Sequence, residues 1–525
     1  MARLRPLALP LGCAIVGAGL FAPGVGSGRL ADDFVLLRTI RGVTSVVWPF
    51  GHNDLGQMAG SGHFYRPLWV LWNAVINQLA SSPAAAHLAN LGLFGLICGE
   101  VAVLLRRLTG QRAALLGGLL FAVFPSHGES VAWISGNTDL LAVALGLAAL
   151  LVGTGRKPTI GTSLAAAGLV AAAMLSKEIA VVFPVLAAIL IWIGRPADAG
   201  ARERWRPVLA MLGAVVLVLL VRGLVIHGFG GYGDTPLTPR RAGGSLASFS
   251  AAALSAPQLQ LLQHPVLLLV PVSLAVLIGW TLWRGVQTGR ARPATRAAGG
   301  LVWFYVALLP VLNQPLNLNT RNGDRLLLLP SVGLAITAAA LVGLARRRVA
   351  VLAAVPLIAV CGLAGVLNAV EWNTAGHESR RIIAELTRLA PRDAHLVVLS
   401  VPTDYREAHL FPDALQDAVQ ESGRPDVTVI TCAPVHALEL LPGQVSFRAP
   451  GGGLGLGSST ADAPFEVSVL GGATVGAAGC AVSTPAGAKS PSLGIVDAVV
   501  VRPTIVPGQP ITVVYFDGRD MRGLR

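Results

Sequence analysis

Two adjacent carboxylates, Asp32 and Asp33, follow the first apolar segment of the chain. A carboxylate at a membrane surface can deprotonate an acceptor hydroxyl if its surroundings tune its pKa. The two charges repel each other, which raises the proton affinity of one of them. The pair can also bind a metal, or hold a solvated loop turn or a helix N-cap. The sequence alone leaves these roles open.

The composition predicts a polytopic membrane protein. Of 525 residues, 53% are hydrophobic and 13% are charged, and the mean hydropathy is +0.65. Soluble globular proteins carry about 25% charged residues. The net charge of +13 would suit a nucleic-acid partner, but the arginines cluster in short loops between apolar runs. There they set membrane topology. We therefore predict a lipid bilayer as partner and no nucleic acid.

The basic loops define a topology. When successive loops are assigned alternately to the two sides of the membrane, the basic clusters share the side of the N-terminus, which the positive-inside rule makes cytoplasmic. The clusters are Arg106/Arg107/Arg112, Arg156/Lys157, Arg195–Arg206, Arg284–Arg296 and Arg346–Arg348. This arrangement predicts about eleven spans and an extracytoplasmic C-terminus. It also places the Asp pair and the other polar clusters outside the cytoplasm, where several ionisable groups on one face indicate a site.

The N-terminal region supports the same orientation. The apolar run Leu7–Val25 is either a cleaved signal peptide or a retained first span, and both place the Asp pair outside. Residues 29–86 then form the first external loop. Within it, Leu68–Leu79 is amphipathic but too short for the ~20 residues of a span, so we expect a helix at the membrane surface. Pro67 suits its first turn.

A change in composition near Gly376 divides the chain into two predicted domains. Residues 1–375 form the membrane domain, and residues 376–525 form an extracytoplasmic α/β or mainly β domain. The glycine-rich stretch Gly451–Gly457 lacks the strand–loop–helix context of a phosphate loop, so we interpret it as a surface loop. Cys432 and Cys480 either form a disulfide in this exported domain or remain free buried thiols.

One stretch carries a resemblance to a known family. Residues Leu120–Leu141, LFAVFPSHGESVAWISGNTDLL, resemble the loop signature of the transmembrane and tetratricopeptide-repeat O-mannosyltransferases and their bacterial relatives. Other short motifs match in the expected order. They are Tyr65-Arg66-Pro67-Leu68, Leu175-Ser176-Lys177-Glu178, and Asp324-Arg325 followed by Leu329-Pro330-Ser331-Val332-Gly333. The resemblance covers roughly residues 20 to 370 and extends to the architecture of the GT-C class of membrane glycosyltransferases.

The resemblance implies an inverting transfer of a hexose, such as mannose, from a polyprenyl-phosphate donor to an extracytoplasmic protein or glycan. An Asp of the first loop would be the base, with Asp33 slightly favoured over Asp32. The leaving phosphate needs cations, for which the external candidates are Lys177, Arg325 and Arg66. The remaining polar residues would bind sugar hydroxyls, orient the base or donate hydrogen bonds: His127, Glu129 and Asp139.

Each of these residues also has a structural interpretation. Lys177 can form a local ion pair with Glu178, and Arg66 and Arg325 can anchor the chain at the membrane interface. His127 and Glu129 can stabilise their loop by hydrogen bonds. The histidines form no clean metal-ligand set, so we predict neither a metal site nor a cofactor.

The chain departs from the resembled family in two respects. A strand-containing domain stands where the eukaryotic members carry tetratricopeptide repeats, so recognition of a protein acceptor by repeats is not expected. Arg325 is followed by Leu326–Leu328, where aromatic residues are common in the relatives. We expect a bacterial inner-membrane enzyme. The alternatives are a transporter or flippase, although no repeated halves are visible, and a membrane scaffold.

Overall fold

The computed structural model describes most of the chain, and every statement below refers to the described residues. These are 7–51, 64–155, 157–194, 200–227, 237–254, 276, 279–280, 282–314, 316, 322–412, 414–437, 445–448, 465–474, 480–483, 495–503 and 511–523. Side chains are described up to residue 432, except at 254 and 347, and again from 511. Three features lie outside this part: the loop Gly451–Gly457, the side chain of Cys480, and most of Leu261–Trp283, an apolar run counted among the eleven predicted spans.

The contacts within the chain divide it into two compact units. The first, the membrane unit, comprises Met1–Val25 and Thr39–Val370. The second, the C-terminal unit, comprises Gly26–Arg38 and Glu371–Arg525. The segment Gly26–Arg38, which the sequence led us to expect within the membrane domain, therefore groups with the C-terminal unit. It carries both Asp32 and Asp33.

The membrane unit is built from helices. In chain order they are α1 (Ala8–Phe21), α2 (Asp33–Arg41, shared with the other unit), α3 (Trp48–Gly51), α4 (Pro67–Leu79), α5 (Pro83–Leu108), α6 (Gln111–Ala122), α7 (Gly128–Ala132), α8 (Asn137–Gly153), α9 (Ile160–Ser176), α10 (Phe183–Ile193), α11 (Ala201–Ile226), α12 (Pro239–Leu254), α13 (Ala291–Leu308), α14 (Leu328–Leu344) and the first part of α15 (Arg347–Leu389). Short 3₁₀ turns precede α7, α10 and α14, at Pro125–His127, Glu178–Val182 and Asp324–Leu327.

Six of these helical segments are long and apolar enough to cross a membrane, and up to seven if the bent pair of α6 and Pro125–Ala132 counts as one span. The bend between those two pieces is 53°. Three shorter apolar helices lie between them in the chain: Asn137–Gly153, Ile160–Ser176 and Glu178–Ile193. The prediction of a polytopic α-helical membrane protein is confirmed. The total of eleven spans stays a prediction.

Local sequence signals explain where several helices begin. Ser82 caps α5 by accepting a hydrogen bond from the N–H of Ala85 at 3.3 Å, and Pro83 occupies the first turn. Thr159 and Thr162 form a reciprocal capping box at the start of α9. Pro67 opens α4, whose 13 residues match the helix expected at Leu68–Leu79. These caps satisfy backbone N–H groups that a helix start leaves unpaired.

Glycines bring α13 and α14 into close contact. A Cβ atom on Gly300 would lie 2.4 Å from Thr337 Oγ1 and 2.5 Å from the carbonyl oxygen of Gly333. A Cβ atom on Gly333 would in turn lie 2.4 Å from the Gly300 carbonyl oxygen. Small residues of this kind let helices approach closely where lipid removes the hydrophobic drive for association. This contact fixes α14, which follows the turn that carries Arg325.

The C-terminal unit contains a nine-stranded mixed sheet in the order β6-β7-β5-β3-β1-β8-β9, with β2 paired to β1 and β4 paired to β5. The strands are β1 (His395–Tyr405), β2 (Ala408–His409), β3 (Thr428–Ala437), β4 (Val445–Arg448), β5 (Phe465–Thr474), β6 (Cys480–Ser483), β7 (Ile495–Pro503), β8 (Ile511–Phe516) and β9 (Met521–Gly523). Strand β1 runs parallel to both β3 and β8, and α16 (Leu415–Glu421) lies between β1 and β3 in the chain.

The predicted α/β or mainly β C-terminal region is thereby confirmed as a mixed sheet with helices. The core of β1 is apolar on both faces, since Leu396, Val397, Val398, Leu399 and Val401 are all buried. Continuous apolar strands are typical of sheets covered on both sides. Cys432 in β3 is disulfide-bonded, whereas Cys13, Cys98 and Cys361 are free and buried.

The contact between α13 and α14 can be tested directly. Gly300→Ala is expected to lower the free energy of unfolding by about 1–3 kcal/mol, because a close-packed contact must open to admit the methyl group. Gly343→Ala in α14 is the matched control, since a Cβ atom there would meet no atom within 4 Å. The measurement is the thermal unfolding midpoint in detergent. Equal midpoints for the two variants would contradict the packing described here.

Candidate functional site

A buried ion pair lies at the centre of the polar residues in the membrane unit. Asp139 sits in the first turn of α8, and Lys177 immediately follows α9. Lys177 Nζ lies 2.5 Å from Asp139 Oδ2, and their side chains are 2% and 0% exposed. An ionised group in such surroundings is costly unless it is paired. The pair therefore explains how both charges are tolerated.

Arg325 connects this pair to a second carboxylate. Its guanidinium donates to Glu129 Oε1, and its Nε lies 3.8 Å from Asp139 Oδ2. The other carboxylate oxygen of Glu129 accepts from the N–H groups of Gly323 and Arg325, each at 3.0 Å. The guanidinium also lies 4.9 Å from the ring centroid of Trp133. The contacts thus form one continuous chain of opposite charges, which we call the charge network. It runs from Lys177 to Asp139, then to Arg325 and Glu129.

A second cluster adjoins the charge network through the peptide bond between Lys177 and Glu178. Arg66 binds Glu178 in a bidentate manner, with Nε to Oε2 at 3.1 Å and Nη2 to Oε1 at 2.5 Å. Arg222 Nη1 lies 3.7 Å from the same Oε2. The guanidinium of Arg66 also lies 4.3 Å from the ring centroid of Phe64. Two arginines therefore share one carboxylate.

Among the described ion pairs, four cations of the two clusters lie against three carboxylates. The cations are Lys177, Arg325, Arg66 and Arg222, and the carboxylates are Asp139, Glu129 and Glu178. In addition, Asp139 Oδ1 is buried and has no hydrogen-bond partner among the described residues. The arrangement can thus accept a further hydrogen-bond donor at Asp139.

Sequence reasoning missed Arg222. It lies inside the apolar run Pro207–Ile226 and is almost fully buried. The available signal was an ionisable residue within a hydrophobic segment, which by default indicates a functional position. Its partner Glu178 came from a recognised motif, but only the fold brings the two together.

Three further polar groups, also missed, lie beside the start of α8. Asn137 Oδ1 accepts from Trp69 Nε1 and, at 3.3 Å, from Asn73 Nδ2, while Asn137 Nδ2 donates to Asn73 Oδ1 at 3.0 Å. These contacts tie α4 to the helix that carries Asp139. The expected short helix thus helps to position the site, and its place at the membrane surface stays a prediction.

His127 occupies a different environment from the other candidates. Its ring is fully buried and packs against the rings of Phe94, Phe121 and Phe124 with centroids 4.7–5.4 Å away. Its Nε2 lies 3.0 Å from Ser331 Oγ, whose hydroxyl donates to the Leu328 carbonyl. This geometry fits the loop-stabilising alternative. A contact of His127 with a sugar hydroxyl stays a prediction.

Asp32 and Asp33 belong to the C-terminal unit. Asp33 begins α2, is 3% exposed, and accepts a hydrogen bond from the N–H of Leu30 at 2.9 Å through Oδ2. Asp32 is half-buried. The turn before them contains Ala31 in the left-handed region, with φ of 46°. Asp33 therefore closes this turn from a buried position, and the role of either residue as a base stays a prediction.

The structure therefore brings together five of the predicted residues: Arg66, Glu129, Asp139, Lys177 and Arg325. It places His127 in an aromatic pocket of the same unit and the Asp pair in the other unit. Within the described part of the chain, no group of three or more His, Cys, Asp or Glu residues is arranged to hold a metal ion.

The buried pair of Lys177 and Asp139 predicts a strong energetic coupling. Lys177→Met leaves Asp139 without its closest cation, so we expect a loss of about 3–5 kcal/mol in the free energy of unfolding. The double variant Lys177→Met/Asp139→Leu removes both charges and should lose less than the sum of the single changes. The readout is unfolding in detergent, with the exposed Lys157→Met as control. Additive effects would contradict the direct pairing.

Comparisons with known proteins give a limited result. No protein-family model and no curated protein matches the sequence. Among solved structures, the chain is similar to ArnT from Cupriavidus metallidurans, in the apo state and bound to undecaprenyl phosphate. In both cases the identity is 16%, the TM-score is 0.36, and the match covers 82% of this chain and 86% of the other. Likeness at this level leaves family and activity to be argued from the residues themselves.

Proposed function

We propose that the protein is a membrane glycosyltransferase of the GT-C type that uses a polyprenyl-phosphate-linked sugar. The carrying observation is that motifs far apart in the sequence contribute to one largely buried cluster of ion pairs. Tyr65-Arg66-Pro67-Leu68 contributes Arg66, the Leu120–Leu141 loop contributes Glu129 and Asp139, and the remaining two contribute Lys177 and Arg325. Ion pairs that only stabilise the fold would not be expected to draw a residue from each of these ordered motifs.

The donor phosphate would bind at Arg66 and Arg222. These two guanidiniums converge on the single carboxylate of Glu178, so an anion bound there would contact both. Guanidinium groups bind phosphate oxygens in a bidentate fork. Lys177 and Arg325 are each held by a carboxylate. Their positive charges would stabilise the negative charge that develops on the leaving phosphate.

The acceptor would be deprotonated by Asp32 or Asp33. In an inverting transfer, the acceptor oxygen attacks the anomeric carbon, the bond from that carbon to the phosphate oxygen breaks, and the polyprenyl phosphate departs with the electron pair. The acceptor proton passes to the carboxylate. Asp32 has the more exposed carboxylate, whereas Asp33 is engaged at Leu30. The two single variants discriminate between them.

The sugar would lie beside Asp139, whose unpartnered Oδ1 can accept from a hydroxyl group. We propose a hexose such as mannose as the transferred sugar and an extracytoplasmic protein or glycan as acceptor. The charge pattern of the loops further supports a location in a bacterial inner membrane with the active face outside the cytoplasm.

One observation favours a second candidate, a transporter or flippase for an anionic substrate. The pair of α6 and Pro125–Ala132 is bent by 53° at Val123–Phe124, and Glu129 lies in its second piece. Broken helices beside buried charges are typical of transport sites. A transporter would move its substrate across proteoliposomes without forming a glycosidic bond, so product analysis separates the two functions.

The test is a transfer assay with the purified full-length protein and polyprenyl-phosphate-linked hexoses. Replacing the base by Asp32→Asn or Asp33→Asn should lower kcat by roughly 10²- to 10⁴-fold, the usual contribution of a general base. Asp393→Asn is the matched control, because this carboxylate is exposed in the same unit. If both variants retain the activity of the unmodified protein, the assignment of the base to this pair is wrong.

A further inference from the structure

The segment Gly26–Arg38, which carries the Asp pair, contacts the rest of the C-terminal unit. Its first residues are held by Arg380. Arg380, in the second part of α15, donates through Nη1 to the carbonyl of Ser27 at 3.0 Å and to that of Gly26 at 3.4 Å. Nη2 also reaches the Gly26 carbonyl at 3.4 Å. Charge-assisted hydrogen bonds to carbonyl oxygens fix the orientation of the peptide groups that accept them.

The middle and end of the segment are held by different groups of the same unit. The N–H of Ala31 donates to the carbonyl of Leu410 at 2.9 Å, and the N–H of Leu410 donates to the carbonyl of Thr403 in β1 at 2.7 Å. Arg38 Nη1 lies 2.6 Å from Asp417 Oδ1 on α16. The three contact points therefore bracket Asp32 and Asp33 on both sides.

Two glycines allow this fit. A Cβ atom on Gly376 in α15 would lie 1.6 Å from the carbonyl oxygen of Ser27, so only glycine permits the helix to approach the segment. Gly28 has φ of +77°, a conformation that L-residues rarely adopt, and a Cβ atom there would lie 2.4 Å from Arg380 Nη1. Glycine is the default residue where the backbone makes such turns and close approaches.

We propose that the C-terminal unit is the element that positions the Asp pair for catalysis, and that Arg380 is a positioning residue for it. This inference rests on the proposed function, because it gives the unit a role in the transfer step itself. In this proposal Arg380 is not a catalytic residue, because it acts through the carbonyl groups of Gly26 and Ser27.

The chain offers a matched control at the next position. Arg381 lies on the same helix, but its described partners are Glu378 and Glu385 of α15 and Asp520 and the Arg519 carbonyl in the β8–β9 hairpin. Arg381→Gln therefore removes the polar contacts of a neighbouring arginine that has no described contact to residues 26–38. It reports on the stability of the unit alone.

The experiment compares Arg380→Gln, Arg380→Lys and Arg381→Gln in the full-length protein by two independent readouts. Hydrogen exchange of residues 26–38 should accelerate in Arg380→Gln and not in Arg381→Gln. In the transfer assay, kcat should fall by roughly 10- to 100-fold in Arg380→Gln, since a small misplacement of a catalytic group is enough for such a loss. KM for the donor should stay unchanged, and Arg380→Lys should recover part of kcat.

When Arg380 is substituted, another contact can take over its role in holding the segment. A second variant tests the position of the segment independently of Arg380. Gly376→Ala would ordinarily favour a helix by about 1 kcal/mol, yet it should accelerate exchange in residues 26–38 and lower kcat. Gly362→Ala on the same helix is its control, because its nearest contact would be an ordinary 3.7 Å to Leu20. Unchanged exchange in both Arg380→Gln and Gly376→Ala would overturn the inference, as would faster exchange with full kcat.

The two readouts keep this inference separate from the proposed function. If the unmodified protein transfers no sugar from any polyprenyl-phosphate donor, the proposed function fails, and with it the role of Arg380 in positioning a catalytic base. Hydrogen exchange would then still show whether α15 holds the segment. Transfer by the unmodified protein together with full kcat in Arg380→Gln would overturn only the inference about positioning.

Discussion

The buried pair of Lys177 and Asp139 is the constraint on which the rest of the membrane unit depends. Both groups are almost entirely withdrawn from solvent, so removing either charge would leave the other buried without its closest partner. Replacing such a pair by apolar side chains often costs nothing in stability. The stability of the fold alone therefore does not explain the pair, whereas the proposed donor site gives it a role.

The geometry around this pair follows from local features of the chain. Asp139 lies in the first turn of α8, where the partial positive charge of a helix start favours a carboxylate. Lys177 comes directly after α9. Arg325 lies in the short turn before α14, and the close glycine contact between α13 and α14 fixes that helix. The charge network is thus held by helix ends, which are the parts of a membrane protein that can present polar groups without breaking helical hydrogen bonds.

Much of this arrangement could be predicted from the sequence, and the exceptions have physical reasons. Hydropathy predicted a helical membrane domain, and composition predicted a strand-containing C-terminal region, because both depend on local patterns of residues. Arg222 escaped notice because a single charge in an apolar run gains its meaning only from Glu178, far away in the chain. The grouping of Gly26–Arg38 with the C-terminal unit also escaped notice, since it depends on contacts with Arg380 and Leu410 that no local pattern encodes.

The most direct test of the account is the affinity of the purified protein for a polyprenyl phosphate compared with the matching polyprenol, measured by native mass spectrometry or calorimetry in detergent. Charge-assisted hydrogen bonds contribute about 1.5–3 kcal/mol each, so the phosphate should bind roughly 10- to 100-fold more tightly than the alcohol. Arg222→Gln should remove most of this difference and leave binding of the alcohol unchanged. Equal affinities for the two lipids would contradict a phosphate site at the buried cations.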